Sequence, residues 1–230
     1  MSFRNREEAG RKLADRLMAY KDQHPVILAL PRGGVPVAAE IAAALDAPLD
    51  LILVRKLGVP WQPELAMGAI VDGDAPLVVR NEDVLRMIGV GEREFKEVCD
   101  RELAEIERRR ERYLGGRARA DIAGRTAIVV DDGIATGATT RAALRATRMR
   151  GPKHLVLAVP VAPAGIALEM REEADEVICL EEHEDFAAIG FYYWDFRQVE
   201  DREVIDTLAR FNKGGEKAIK RADIRAWRAG

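Results

Sequence analysis

Residues 128–140 read IVVDDGIATGATT, and this stretch decides the fold prediction. Three apolar β-branched residues lead into two adjacent acids, Asp131 and Asp132, and a loop of small and hydroxyl residues follows. A continuous apolar run of this kind is typical of a strand buried on both faces of a parallel sheet. Ligands of open parallel sheets bind outside the carboxyl ends of the strands. We therefore expect both acids to face a ligand crevice.

The residue types in this stretch suit a phosphorylated sugar. Carboxylates only accept hydrogen bonds, so a pair of them suits two vicinal hydroxyls. The N–H groups at the start of the next helix favour an anion such as phosphate, and Thr136 and Thr139 add hydroxyl donors. Gly133 and Gly137 allow the backbone to turn and approach a ligand. A diol next to a phosphate describes a ribose 5-phosphate; the alternative is an acidic turn that only caps the helix.

Strands and helices alternate on both sides of this stretch. The apolar patterns predict strands at 25–30, 49–56, 125–131, 154–161 and 177–181, and helices at 5–20, 35–46, 139–150, 163–174 and 201–212. This alternation predicts an α/β fold with a doubly wound, mainly parallel sheet of about five strands. Residues 57–76 predict a loop and part of a hairpin with 76–81. Acids and bases are interleaved over 92–114, which favours a solvated helix over a nucleic-acid site.

Composition favours a soluble cytoplasmic protein. The chain is 48% hydrophobic and 33% charged, with a net charge of −3. It therefore lacks the overall positive charge that is typical of nucleic-acid-binding proteins. No apolar run approaches the roughly 18–20 residues that span a bilayer, and the charged N-terminus is not a secretory signal. Cys99 and Cys179 are expected to be reduced. No metal-site spacing relates the three histidines, His24, His154 and His183.

The stretch IVVDDGIATGAT closely resembles the phosphoribosyl diphosphate (PRPP) signature of type I phosphoribosyltransferases. The resemblance implies that Asp131 and Asp132 bind the ribose 2- and 3-hydroxyls. It also implies that a five-residue loop cradles the 5-phosphate: Ala135, Thr136, Gly137, Ala138 and Thr139. The implied fold is a phosphoribosyltransferase-like domain over 1–212, with a flexible loop and insertion at about 57–120. A small hood would form from about 183–199 plus the N-terminal helix, and 213–230 would be a basic tail.

The segment LPRGGVPVA at 30–38 is the candidate pyrophosphate loop. Arg32 offers a planar fork of donors, and Gly33 and Gly34 allow N–H groups to point at a ligand. In the family, the pyrophosphate loop follows the first strand of the sheet. The alternative is a tight strand-to-helix turn with a surface arginine.

The segment VRKLGVP at 54–60 supplies two more bases. We expect Arg55 and Lys56 to end the second strand and face the crevice, as an Arg-Lys pair that some purine-type members use on pyrophosphate. The alternative is two solvated bases. The next loop resembles the family's mobile lid. Together with Glu64 and ELAMGAI, the motifs PRGG, RKLG and DDGIATGAT resemble a group of bacterial predicted phosphoribosyltransferases.

The segment AIGFYYWDFRQV at 188–199 is the candidate hood. In the family a C-terminal segment often stacks an aromatic ring on the base, so the base-binding candidates are Tyr192, Tyr193, Trp194 and Asp195. The alternative is that most of these rings pack in the core. A planar nitrogen heterocycle is the expected acceptor, with purine slightly ahead of pyrimidine.

The resemblance implies transfer of a 5-phosphoribosyl group from PRPP to a nitrogen nucleophile, with release of pyrophosphate. Arg32, Lys56 and Asp132 are the catalytic candidates, and Mg²⁺ would be held mainly by the diphosphate and water, with no protein metal ligand assigned. PRPP or a nucleotide is the expected small-molecule partner, and a homodimer is compatible with this reading. Two alternatives stay open: a PRPP-sensing regulator, and an enzyme that cleaves nucleotides with phosphate or pyrophosphate.

Overall fold

The computed structural model describes residues 2–73 and 76–211. Within these ranges the strands are β1 Val26–Ala29, β2 Leu49–Leu51, β3 Val54–Val59, β4 Gln62–Val71, β5 Leu77–Arg80, β6 Thr126–Val130, β7 His154–Pro163 and β8 Glu176–His183. The α-helices are α1 Arg6–Leu17, α2 Gly34–Leu45, α3 Glu82–Ile88, α4 Glu92–Leu114, α5 Ala138–Met149, α6 Ile166–Met170 and α7 Asp201–Arg210. Short 3₁₀ turns cover Met18–Gln23 and Ile189–Tyr192.

The main sheet is parallel and has helices on both faces. Its strand order is β2-β1-β6-β7-β8. Ile27 and Ala29 of β1 share a core with α1, α2 and α7, whereas Val26 and Leu28 pack toward α5 and α6. Successive strand residues point to opposite faces, so every buried position of β1 has a helix to pack against. The predicted doubly wound parallel sheet is confirmed.

A second, antiparallel sheet of order β3-β4-β5 replaces part of the expected second strand. The prediction of one strand over 49–56 is wrong, because β2 ends at Leu51 and β3 begins at Val54 in the other sheet. Residues 49–54 read LDLILV, an almost continuous apolar run across the end of β2 and the start of β3, so the sequence carried no sign of the change of sheet. The predicted hairpin between 57–76 and 76–81 is present as β4 and β5.

Other boundaries differ from the sequence pattern in detail. Helix α6 covers five residues of the expected 163–174 helix, and α3 was not predicted. The N-terminal segment meets the expected hood, because Phe3 forms a parallel bridge with Tyr193 and the N–H of Ser2 donates to the carbonyl of Tyr192. In the described ranges no helix combines the length and apolar character needed to cross a bilayer. The predicted tail, 213–230, lies outside the described residues.

Register places two loops side by side at the carboxyl edge of the sheet. In the parallel pair of β1 and β6, Ala29 lies opposite Val130. The N–H of Leu30 then donates to the carbonyl of Val130 at 2.9 Å. The PRGG turn after β1 and the acid pair after β6 are therefore neighbours.

Candidate active site

The acid pair follows β6, which is the central strand of the main sheet. Asp131 is partly exposed, and its Oδ1 accepts the N–H of Asp132 at 2.9 Å. Asp132 is buried, with 8% of its surface exposed. A carboxylate has about four lone-pair positions, so Asp131 keeps acceptor capacity for a ligand. Asp131 is therefore the more accessible of the two acids.

Asp132 is held by an arginine that no sequence motif indicates. Arg6, the first residue of α1, donates through Nε to Asp132 Oδ2 at 2.7 Å, and both side chains are about nine-tenths buried. The guanidinium carbon lies 3.9 Å from the centre of the Phe196 ring, and Nη1 donates to the carbonyl of Arg197 at 2.9 Å. Asp132 thus ties the N-terminal helix and the 188–199 segment to the end of β6.

Tyr193 contacts the backbone of the same residue. Its hydroxyl donates to the backbone carbonyl of Asp132 at 2.7 Å. The ring is 1% exposed and packs between Phe3 and Phe196, with ring centres 5.4 and 5.1 Å away. Tyr193 therefore holds the backbone of the acid pair and offers no open ring face.

The surroundings of the acid pair oppose its double ionisation. Loss of hydration raises the pKa of Asp131, and the neighbouring charge of Asp132 raises it further. Burial also raises the pKa of Asp132, while the Arg6 guanidinium opposes that shift. Asp132 thus has a dedicated counter-charge in Arg6. A hydroxyl donor or a cation bound at Asp131 would lower the pKa of Asp131 and so favour its charged form.

The PRGG turn packs directly on the acid pair. A Cβ atom at Gly33 would lie 2.0 Å from Asp132 Oδ2, and one at Gly34 would lie 2.7 Å from the carbonyl oxygen of Val130. A side chain at either position would displace the acids. Glycine is therefore required at both positions because the turn lies so close to the end of β6. The Pro31–Arg32 peptide is cis. Arg32 lies at this turn with its Nη1 3.5 Å from Asp201 Oδ1.

The loop after the acids leads into α5. Gly137 adopts a φ of 76°, which favours glycine, and α5 begins at Ala138. The other four residues of the predicted phosphate loop are exposed: Ala135, Thr136, Ala138 and Thr139. The first N–H groups of an α-helix lack intrahelical acceptors and carry the positive end of its dipole. This loop can therefore receive an anion next to Asp131.

Gly133, which we expected to let the backbone approach a ligand, instead allows close packing against Ile189 and Val161. A Cβ atom there would lie 2.8 Å from a methyl carbon of Ile189 and 3.0 Å from one of Val161. The absence of a side chain thus lets the 3₁₀ turn of the expected hood pack on the loop.

A model of the phosphoribosyl transferase domain matches residues 4–197. The chain belongs to the phosphoribosyl transferase domain family. The match includes the acid pair, the loop before α5 and the PRGG turn, and it confirms the family resemblance of the sequence motifs.

Relatives of this phosphoribosyl transferase chain align over nearly its whole length. In two strains of Mycobacterium tuberculosis, CDC 1551 and H37Rv, a protein named "putative phosphoribosyl transferase" is 47% identical over 211 residues. These alignments cover 92% of this chain and 47% of each relative, so the chain spans about half the length of these curated relatives. The crystal structure of TT1426 from Thermus thermophilus is 40% identical, with a TM-score of 0.79 over 92% of this chain and 99% of that one.

In this phosphoribosyl transferase domain, Arg55 and Lys56 lie away from the expected position. They belong to β3 of the antiparallel sheet, so the prediction that they end the second strand of the main sheet is wrong. Arg55 donates to Glu102 at 2.8 Å, and Lys56 is 3.4 Å from Glu64. Both bases line a cavity of about 290 Å³ with residues of β3, β4 and α4. The strand assignment therefore no longer supports their contact with pyrophosphate, and that contact stays a prediction.

The four base-binding candidates fall into different environments. Tyr193 is buried, so its assignment to base stacking is corrected. Tyr192 is half-buried between His183 and Phe186, with ring centres 4.3 and 5.1 Å away. Trp194 is 74% exposed, and Asp195 is exposed with its Oδ1 accepting the N–H of Arg197. Core packing thus explains Tyr193, and the remaining three keep the base-binding role only as a prediction.

A cavity of about 480 Å³ borders the predicted phosphate loop. Thr136 and Ala138 line it on one side, and β4 and β5 line it on the other. Its charged lining is paired: Arg141 and Arg145 contact Glu173, and Arg80 contacts Glu92. The exposed loop before α5 therefore borders a cavity whose arginines already have acidic partners.

Proposed function

We propose that the chain binds PRPP and transfers its 5-phosphoribosyl group to a nitrogen nucleophile, a nucleobase, with release of pyrophosphate. The observation that carries this proposal is the convergence of three features at the carboxyl edge of β1 and β6: the partly exposed acid Asp131, the N-terminus of α5 and the Arg32 turn. They supply an acceptor for ribose hydroxyls, donors for a 5-phosphate and a cation for the leaving diphosphate.

Each group has one task in this proposal. Asp131 accepts hydrogen bonds from the ribose hydroxyls, and Asp132, paired with Arg6, keeps the end of β6 in place. The N–H groups of the loop and the hydroxyls of Thr136 and Thr139 bind the 5-phosphate. Arg32 stabilises negative charge as it develops on the diphosphate. Positioning and electrostatic stabilisation carry such a reaction, so no covalent intermediate with the protein is needed.

Mg²⁺ is the proposed cofactor. Among residues 2–73 and 76–211, no group of three or more His, Cys, Asp or Glu side chains could hold a metal ion by itself. Mg²⁺ usually keeps several waters and is bound through one or two carboxylates plus substrate phosphates. The spare acceptor capacity of Asp131 fits this pattern. When bound, the ion would neutralise charge on the diphosphate.

The test is turnover with a panel of acceptors. The protein is incubated with PRPP, Mg²⁺ and single purine or pyrimidine bases, and pyrophosphate release is followed. The reverse reaction is run beside it with nucleotides and either phosphate or pyrophosphate. Turnover on one base supports the transferase proposal and identifies the acceptor. Absence of turnover in both directions would refute the transferase proposal, and absence of PRPP binding as well would refute the binding site.

One observation favours a second candidate, a PRPP-sensing protein without transferase activity. Tyr193 is engaged with the acid pair and Tyr192 with two neighbouring rings, which reduces the surface left for stacking a base. Tight PRPP binding without turnover on any base or nucleotide would favour the sensor over the enzyme.

A further inference from the structure

Asp201 connects the PRGG turn to the long insertion helix α4. It is the first residue of α7, and its Oδ1 accepts the Tyr113 hydroxyl at 2.6 Å. Its Oδ2 lies 2.6 Å from Nη1 of Arg112, and Arg32 approaches Oδ1 at 3.5 Å. One carboxylate therefore holds two guanidinium groups that are 80 residues apart in the sequence.

The cluster around Asp201 carries more positive than negative charge. Arg32 and Arg112 share this one acid, whereas the neighbouring Arg109 is paired with Glu105 at 2.7 Å. The hydrogen bond from Tyr113, followed by the nearby arginines, lowers the pKa of Asp201, so the acid stays ionised near neutral pH. Two cations against one anion leave an excess of one positive charge at the turn.

Both cations are accessible to a ligand. The side chains of Arg32 and Arg112 are 32% and 50% exposed. Arginine forks match phosphate oxygens in two-point contacts, and two forks aligned on one carboxylate present their remaining donors together. The arrangement thus provides a second cation beside Arg32.

We propose that Arg112 binds the diphosphate group together with Arg32, and that Asp201 and Tyr113 are positioning residues that align the two guanidinium groups. This inference rests on the proposed function, because it names the residues that hold the leaving group of that reaction. It brings the C-terminal end of α4, which the sequence pattern indicates only as a solvated helix, into the site.

The experiment compares ligands with and without a diphosphate. Calorimetry with Mg²⁺ measures the affinities of pyrophosphate, PRPP and ribose 5-phosphate for the wild-type protein and for Arg112→Gln, Tyr113→Phe and Arg93→Gln. Arg93 is the matched control, since it lies on the same helix, is 91% exposed and pairs with Glu97. Thermal unfolding of each variant checks that the fold is retained.

We expect the variants to lose affinity for the two ligands that carry a diphosphate and to keep their affinity for ribose 5-phosphate. Arg112→Gln should weaken pyrophosphate and PRPP about tenfold, the effect of losing one charge-assisted contact, while ribose 5-phosphate binds as before. Tyr113→Phe should weaken the same two ligands about threefold by releasing Asp201. Arg93→Gln should change none of them.

Two results would overturn the inference. One is unchanged pyrophosphate affinity in Arg112→Gln, and the other is an equal loss for all three ligands, which would indicate a general structural effect. Unchanged affinity in Tyr113→Phe would overturn the positioning role. If the wild-type protein binds neither PRPP nor pyrophosphate, the proposed function fails as well, and this outcome is distinct from a failure confined to the variants.

Discussion

Replacing Arg6 by methionine is expected to destabilise the fold by about 3–5 kcal/mol, the usual cost of removing one partner of a buried ion pair. Arg6 and Asp132 meet at 2.7 Å, with side chains only 9% and 11% exposed. Methionine occupies a similar volume beside the Phe196 ring, but it loses the cation–π contact and the hydrogen bond to the Arg197 carbonyl. It also leaves the Asp132 carboxylate buried without its counter-charge. Domains are stable by about 5–15 kcal/mol, so the loss should be large but measurable.

Urea unfolding at neutral pH is the assay, with Arg11→Met as the matched control. Arg11 lies on the same helix, is 59% exposed and approaches Glu40 only at 3.4 Å. Exposed pairs of this kind contribute about 0.2–1 kcal/mol, so the control should unfold nearly as the wild type does.

A double-mutant cycle separates the ion pair from general packing. Asp132→Asn in the Arg6→Met background removes the orphaned charge, so the double variant should be more stable than the sum of the single losses predicts, by about 2 kcal/mol. The reasoning is refuted if Arg6→Met costs no more than Arg11→Met, or if the two changes are additive.

Three further changes test the support around the acid pair. Gly33→Ala places a carbon 2.0 Å from Asp132 Oδ2 and should cost about 1–3 kcal/mol in urea unfolding; a wild-type midpoint would contradict the close packing. Tyr193→Phe removes the hydroxyl that donates to the Asp132 carbonyl and should cost about 1 kcal/mol while near-ultraviolet circular dichroism shows retained ring packing; no loss of stability would argue against that bond. The pKa of Asp131 is raised in the folded state, so ionising it costs stability as the pH rises above its unfolded value of about 4. Asp131→Asn should therefore raise the melting temperature at pH 8 but hardly at pH 4. An equal rise at both pH values would show that the effect does not come from a raised pKa of Asp131.

The sequence predicted the features that depend on neighbours along the chain. The strand over 125–131 and the loop into α5 follow from an apolar run that ends in acids and glycine, and both are close to the observed β6 and α5. The PRGG turn after β1 follows in the same way. Local pattern is sufficient for these features because strand, turn and helix start are each determined within about ten residues.

The rest depends on contacts between distant residues. Arg6 and Asp132 are separated by 126 positions, and no local pattern indicates that an arginine in the first turn of a helix will be buried. The apolar run at 49–56 reads as one strand, yet it enters two sheets, because periodicity does not specify a pairing partner. The same limit explains Tyr193, whose ring could equally have stacked on a ligand.

The central claim is that the carboxyl edge of β6 binds the ribose 5-phosphate part of PRPP. Titration calorimetry with PRPP and Mg²⁺ tests it in the wild-type protein, in Asp131→Asn and in the control Asp121→Asn, an exposed acid that precedes β6. The wild type and the control should bind PRPP equally, and Asp131→Asn should bind at least about tenfold more weakly, because an amide replaces a charge-assisted acceptor. Equal affinity in all three proteins, or no binding by the wild type, would contradict the account.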